Sequence, residues 1–223
     1  MQNPGAVVAT EPVGDERIRL QILGPLRVWR GDVELDAGPR QQARLLAIML
    51  ARAGRLVSTG ELIEMIWGDT APPSALNTLH KYIGTLRHLL EPSLPSRHYG
   101  SYLQRRGDGY LCTAGADTLD LVAFRTLLGQ ARVALARQRY EQALDSYAWA
   151  LGLWRGPAGA GADDGAAAWV FATVNAEFLD AGVAAAALAV SLGRTEQVLP
   201  ALQQAARLDP KRSLHPYSGS HGS

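Results

Sequence analysis

One predicted helix and the hairpin after it carry side chains able to contact a nucleic acid. Between Pro73 and about Leu90, helical periodicity places polar side chains and one glycine on the same face: Asn77, Lys81, Gly84, Thr85 and His88. An α-helix fits the major groove of DNA, where amide, imidazole and ammonium groups reach base edges and phosphates. The hairpin carries Gln104, Arg105 and Arg106 beside a glycine-rich turn, and arginines at such a tip reach the DNA backbone or the minor groove. The pattern predicts a DNA-binding surface.

Positive charge is concentrated in the same part of the chain. The whole sequence is close to neutral, with 22 Lys and Arg against 21 Asp and Glu, but residues 17–112 contain 13 basic and 8 acidic residues. Within 73–106, one acidic residue, Glu91, opposes five basic ones: Lys81, Arg87, Arg97, Arg105 and Arg106. A solvated basic face would explain a small excess, but this excess coincides with the predicted helix and hairpin. It therefore favours a polyanionic partner.

The sequence offers no convergent catalytic site, so an enzyme is not expected. The segment 159–165 imitates a dinucleotide-binding glycine loop, but its last spacing is one residue too long and it follows a helix. A plain linker is predicted there, with Asp163 and Asp164 solvated. The single cysteine, Cys112, excludes an internal disulfide and a cysteine-rich metal cluster, and it is expected to pack inside a strand. No cofactor and no metal are predicted.

Neither a signal peptide nor a membrane span is predicted. Residues 1–16 lack an apolar run after a basic start, and no window reaches the ~18 uninterrupted apolar residues that a membrane span needs. A cytoplasmic protein is expected.

The elements that must position the predicted surface lie in residues 17–113. The polar segment 1–16 is predicted to be a disordered leader. Three short strands follow, the last two joined at Gly31-Asp32, and then three helices, which begin near Pro39, at a capping box on Ser58, and after Pro73. A hairpin closes the unit. The third helix has an apolar side that should pack on the first two helices: Leu76, Leu79, Tyr82, Ile83, Leu86, Leu89 and Leu90.

Helices alone are predicted for residues 117–210. Apolar residues recur at helical spacing in 120–136 and 140–153, an alanine-rich helix ends at Gly193, and a last helix runs from about Glu196 to Leu208. Their lengths suggest stacked hairpins of about the tetratricopeptide size, with Trp154 in the core. Residues 211–223 have the composition of a polar tail. The predicted fold class is an α+β N-terminal half followed by an all-α, tetratricopeptide-like domain.

Several motifs resemble one family. The order of strands, three helices and hairpin in 17–113 resembles the winged helix-turn-helix DNA-binding domain of the OmpR/PhoB type. The segments 62–68 (LIEMIWG), 72–76 (PPSAL) and 82–87 (YIGTLR) resemble the Streptomyces antibiotic regulatory proteins. So do 150–157 (ALGLWRGP) and 192–194 (LGR), which are similar to the bacterial transcriptional activation domain. That domain normally continues with further helices beyond the position of Pro210, so it is expected to be incomplete in this chain.

This resemblance implies a transcriptional activator that binds promoter direct repeats as a side-by-side dimer, recruits RNA polymerase with its sigma factor, and controls a secondary-metabolite gene cluster. It also implies a backbone contact for Arg87 and a minor-groove contact for Arg106. Thr85 takes a position where relatives often carry a longer base-reading side chain. The loop before the third helix, with Asp69 and Thr70, matches the loop that meets the sigma subunit. The alternative is a tetratricopeptide-like adaptor whose winged helix binds protein; steep salt dependence of DNA binding would distinguish the two.

Overall fold

The computed structural model describes residues 17–93, 100–162 and 165–208. The predictions made for the leader 1–16, for Arg97, for Asp163 and Asp164, for the region around Pro210 and for the tail 211–223 lie outside these residues.

The chain begins with an antiparallel sheet of three strands. These are β1 (Ile18–Gln21), β2 (Arg27–Arg30) and β3 (Val33–Leu35), in the order β1-β2-β3. Ile18 and Leu20 are buried while Arg19 between them is exposed, as the alternating pattern predicts. The turn between β2 and β3 places Gly31 at a φ of +56°, a conformation that glycine adopts without strain. The predicted three strands before the first helix are confirmed.

Three helices follow: α1 (Arg40–Ala51), α2 (Thr59–Trp67) and α3 (Ala75–Leu90). The capping box is present at the start of α2, where the Glu61 amide donates to Ser58 Oγ at 3.2 Å and the Ser58 amide donates to Glu61 Oε2 at 2.9 Å. A short strand between α1 and α2, β4 (Leu56–Ser58), was not predicted. It is three residues long and pairs with a strand far away in sequence, so no local sequence pattern predicts it.

A second sheet closes the N-terminal half. The strands β5 (Leu103–Arg106) and β6 (Gly109–Cys112) form a hairpin, here called the wing, and β4 pairs with β6, which gives the order β4-β6-β5. The two-residue turn places Gly107 at a φ of +57°. A Cβ at Gly109 would overlap the carbonyl oxygen of Val57, so only glycine fits there. The Thr59 amide donates to Asp108 O at 3.0 Å and fastens the turn to α2.

The second half of the described chain is helical. It consists of α4 (Asp120–Ala136), α5 (Tyr140–Gly152), α6 (Ala168–Leu192) and α7 (Leu199–Leu208), and each helix packs against the next. Ala143 and Ala150 are completely buried on α5, where their small side chains allow close helix packing. Gly193 ends α6 in the left-handed conformation, with a φ of +66°. The predicted fold class, a winged helix followed by a tetratricopeptide-like helical module, is confirmed.

The segment Gly165–Leu192, which contains α6, is by length and composition long and apolar enough to cross a membrane. In the fold, however, α6 packs against α1, α5 and α7. Val170, Phe171, Val174 and Phe178 are buried in the common hydrophobic core. These four residues belong to the buried side of α6.

The two halves are joined where β1 ends. The backbone amides of Ile22 and Leu23 donate to the carboxylate of Asp120, at the start of α4, at 2.9–3.0 Å. The Leu20 amide donates to Thr118 O at 2.8 Å. A single hydrophobic cluster runs through both halves. The end of β1 and the start of α4 therefore form one buried junction.

The prediction of a plain linker after α5 is wrong for the residues that the structure describes. The Arg155 amide donates to Leu23 O at 2.7 Å and the Gly159 amide to Ile22 O at 3.0 Å, while Ala158 and Ala162 are buried. A Cβ at Gly159 would overlap the Phe171 ring. The glycines here allow close packing against the N-terminal half, which composition alone does not distinguish from flexibility.

Trp154 lies at the centre of the helical half. It is 1% exposed, stacks on Phe178 with ring centroids 4.1 Å apart, and lies 6.2 Å from the ring of Phe124. The expectation that this tryptophan belongs to the core is confirmed.

We expect Trp154→Ala to lower the free energy of unfolding by about 3–5 kcal/mol, because it leaves a cavity between two phenylalanine rings. Trp149, on the neighbouring α5 and 71% exposed, provides the matched control. Trp149→Ala should change stability by less than about 1 kcal/mol. Denaturant unfolding followed by circular dichroism measures both, and equal losses in the two variants would contradict the packing described.

The buried junction should make stability depend on pH. Burial raises the pKa of Asp120 to about 6, although three backbone N–H groups and Arg155 favour its charged form. The folded chain therefore holds a proton that the unfolded chain has already lost above about pH 4. The free energy of unfolding should fall as pH rises from about 4 to 6, by up to about 3 kcal/mol from this group.

Asp120→Asn removes this titration, so the difference in unfolding free energy between wild type and variant should change over that pH range and stay constant above it. The contrast is Asp117, whose pKa is lowered mainly by a hydrogen bond from Arg17. The contribution of Asp117 to the free energy of unfolding is present above the pKa of this residue in the unfolded chain. It is lost as pH falls. Parallel pH profiles for wild type and Asp120→Asn would rule out titration of the junction.

Candidate nucleic-acid interface

Helix α3 is held in place by one apolar side. Ala75, Leu79, Ile83, Leu86 and Leu90 are buried, at the spacing of three and four residues that lines one side of a helix. This side packs against α1 and α2. The opposite side of the helix is left facing solvent.

The polar residues predicted for DNA contact share that solvent-facing side. Asn77, Lys81, Thr85 and His88 are all exposed. The Thr85 hydroxyl donates to Lys81 O at 3.1 Å, within the helix. Its proton is therefore engaged, and its oxygen is the atom that remains available as an acceptor.

Two residues of α3 differ from the sequence prediction. Leu76 was placed on the apolar side but is 46% exposed, because it lies at the edge of that side, next to the buried Ala75. His80 was not predicted, yet it is exposed on the same side as Asn77 and Gly84 and its ring lies 6.4 Å from that of Tyr110. Its spacing of three residues from Asn77 was the signal that could have identified it.

Arg87 has a structural contact that the sequence did not predict. Its Nε donates to Leu103 O in the wing at 2.8 Å, and its guanidinium lies 5.8 Å from the centre of the Tyr110 ring. The side chain is half-buried between α3 and β5. Arg87 thus fastens the wing to the helix, and its contact with a DNA backbone stays a prediction.

The wing presents two arginines at its tip. Arg105 and Arg106 are exposed next to the Gly107 turn, and Arg106 donates to Gln104 Oε1 at 2.7 Å. Gln104 donates in turn to Ser101 O at 3.3 Å. Since neighbouring side chains on a strand point to opposite faces, Arg106 and Gln104 share one face and Arg105 occupies the other.

Contacts at two places hold α3 and the wing together. Tyr110, buried in β6, lies against His80 and Arg87 of α3. At the other end of α3, the Glu91 carboxylate accepts hydrogen bonds from the amide and the hydroxyl of Ser101, at 2.7 and 2.6 Å. Lys81, Arg105 and Arg106 are therefore presented from one connected surface.

The loop before α3 is also ordered. Gly68–Thr70 form a single 3-10 turn in which the Thr70 hydroxyl donates to Trp67 O at 2.7 Å, and Asp69 is exposed. The turn Gly165–Ala167 of the helical half packs against α2, and a Cβ at Gly68 would lie 3.8 Å from that of Ala166. The helical half thus packs against the start of this loop.

Comparison with known proteins agrees with this architecture. Residues 34–112 match the family model described as "Transcriptional regulatory protein, C terminal", and residues 119–214 match "Bacterial transcriptional activator domain". The chain thus combines a winged helix-turn-helix domain of the OmpR/PhoB type with a bacterial transcriptional activator domain.

Similar proteins include "Regulatory protein AfsR" of Streptomyces griseus, 35% identical over 66% of this chain and 14% of that protein, and "Regulatory protein DnrI" of Streptomyces peucetius, 28% identical over 63% of this chain and 53% of that protein. The solved structure of Mycobacterium tuberculosis EmbR in complex with a low-affinity phosphopeptide matches with a TM-score of 0.72 and 28% identity, over 88% of this chain and 52% of that one.

This chain resembles the Streptomyces antibiotic regulatory proteins in the order of its two domains. It spans about one seventh of AfsR and about half of DnrI and EmbR.

Proposed function

We propose that this chain is a cytoplasmic, sequence-specific DNA-binding activator. It binds direct repeats in the promoters of a secondary-metabolite gene cluster as a side-by-side dimer and recruits RNA polymerase with its sigma factor. The observation that carries the proposal is the connected surface of α3 and the wing, which presents polar and basic side chains from a rigid base.

Each part of that surface has a proposed role. Asn77, Lys81 and His88 read base edges in the major groove, where the amide and ammonium groups find acceptors on purines. Thr85 offers an acceptor oxygen beside them. Arg106 enters the minor groove next to the helix, with Gln104 and Arg105 at the adjacent backbone.

Rigidity supports this assignment over a mobile basic face. The hydrogen bond from Arg87 to Leu103 O and the contacts of Tyr110 fix the distance between α3 and the wing. A preformed surface avoids an ordering cost when it binds a regular duplex. An adaptor that binds protein through its winged helix would not need exposed arginines at the wing tip.

The test is DNA binding as a function of salt. A DNA site is selected from a random library with the full chain, and its affinity is measured by fluorescence anisotropy from 50 to 300 mM salt. The logarithm of the binding constant should fall linearly with the logarithm of salt concentration, at about 0.9 per phosphate neutralised. A library that yields no enriched sequence, with weak and salt-independent binding, would favour the adaptor.

Replacing the wing-tip arginine should weaken binding in a defined way. Arg106→Ala is expected to cost about 1–3 kcal/mol of binding free energy and to lower the salt slope by about one. Arg132→Ala is the control, because Arg132 is also exposed but lies on α4, away from the wing. Wild-type affinity and slope in Arg106→Ala would remove this arginine from the interface.

Recruitment of RNA polymerase is assigned to the loop with Asp69 and Thr70. The 3-10 turn, Pro72 and Pro73 stiffen this loop, since proline restricts φ, and the helical half supports it. Asp69→Arg should leave DNA affinity unchanged and reduce transcription from the target promoter in vitro. Glu141→Arg, the same charge reversal at an exposed position of α5, should change neither DNA affinity nor transcription. Full transcription with Asp69→Arg would move recruitment to another surface.

A further inference from the structure

A cleft between the two halves has the chemistry of a ligand site. It has a volume of about 210 Å³ and lies between the end of α1, the first turns of α4 and the N-terminal part of α6. Its lining includes three arginines, one carboxylate and an apolar wall: Arg52, Arg55, Arg125, Glu177, Trp169 and Val174. Ligand sites occur preferentially at such interfaces between domains.

The arginines of the cleft are not equivalent. Arg125 forms two hydrogen bonds with Glu177, at 2.8 and 2.7 Å, and its charge is compensated by that pair. Arg52 has a more distant carboxylate, Glu61, at 3.9 Å, and that carboxylate already accepts hydrogen bonds in the capping box. Arg55 is exposed at the rim. The lining therefore carries an excess of positive charge.

Arg52 is the under-compensated group. Its side chain is 18% exposed, and its Nε is buried without a hydrogen-bond partner among the described residues. Its guanidinium lies 5.2 Å from the centre of the Trp169 ring, which favours a cation but supplies no acceptor. Because this Nε is closed to solvent, an anion in the cleft would meet the terminal N–H groups of Arg52, of which Nη2 lies 3.9 Å from Glu61 Oε1.

We propose that this cleft binds a small organic carboxylate with an apolar body. The carboxylate accepts hydrogen bonds from the guanidinium groups of Arg52 and Arg55, a pairing that suits the planar fork of arginine. The apolar body lies along Trp169, which is 53% exposed, and the valines of α6. The Thr173 hydroxyl donates to Trp169 O at 2.9 Å, so its proton is engaged within α6 and is not offered to the carboxylate.

Such a ligand would act on the arrangement of the two halves, because its contacts come from both. Arg52 and Arg55 follow the end of α1 in the winged-helix half, while Trp169 and Thr173 belong to α6. The bound carboxylate would stabilise the docked arrangement that places the activator domain behind the winged helix.

The test uses benzoate as the probe and the full chain. The midpoint of thermal unfolding is measured with 10 mM sodium benzoate. The controls at the same concentration are benzamide, which has the shape of benzoate without its charge, and sodium acetate, which has the charge without the ring. Sodium chloride is added to match the ionic strength. Benzoate should raise the unfolding midpoint by about 3–6 °C if its Kd is near 1 mM, and benzamide and acetate should raise it less.

Variants locate the effect. Arg52→Gln should abolish the benzoate shift, and Arg55→Gln, at the exposed rim, should weaken binding several-fold in calorimetric titration without risk to folding. Arg132→Gln should behave as wild type. Equal stabilisation by benzoate and benzamide, or an unchanged benzoate Kd in both cleft variants, would overturn the proposal.

Discussion

The carboxylate of Asp120 is the contact on which the rest of the structure depends. The backbone amides of Ile22 and Leu23, just beyond the end of β1, both donate to this carboxylate at 2.9–3.0 Å. Buried amides without acceptors are costly, and a carboxylate from the first helix of the other half satisfies them. The position of β1 therefore depends on a residue that belongs, in sequence, to the activator domain.

From this junction the order extends outward to the proposed DNA surface. β1 and α1 contribute to the same core, α1 and α2 carry α3, and Tyr110 with Arg87 attaches the wing to α3. These elements are connected by buried side chains and by the half-buried Arg87. The proposed DNA surface therefore rests on a packed base, while the side chains at its edge are exposed.

Most of the helices, the strands of the first sheet and the wing could be predicted from the sequence because their signals are local. The capping box at Ser58 and the apolar spacing of α3 report on residues within one or two turns. β4, the packed loop after α5, the exposure of Leu76 and the contact of Arg87 depend on partners distant in the chain. The sequence does not show whether a glycine makes a loop flexible or, like Gly159, allows close contact with Phe171. The loop was therefore predicted to be a plain linker.

The fused core also limits how such regulators can be recombined. A crossover between 113 and 117 would follow the composition of the two domains, but it would separate Ile22 and Leu23 from Asp120, and Leu23 from Arg155. A chimaera inherits a working junction only if both parents present the same strand end and the same helix start. For the proposed DNA-binding role, changing the exposed residues of α3 and the wing keeps this junction intact, whereas exchanging whole domains does not.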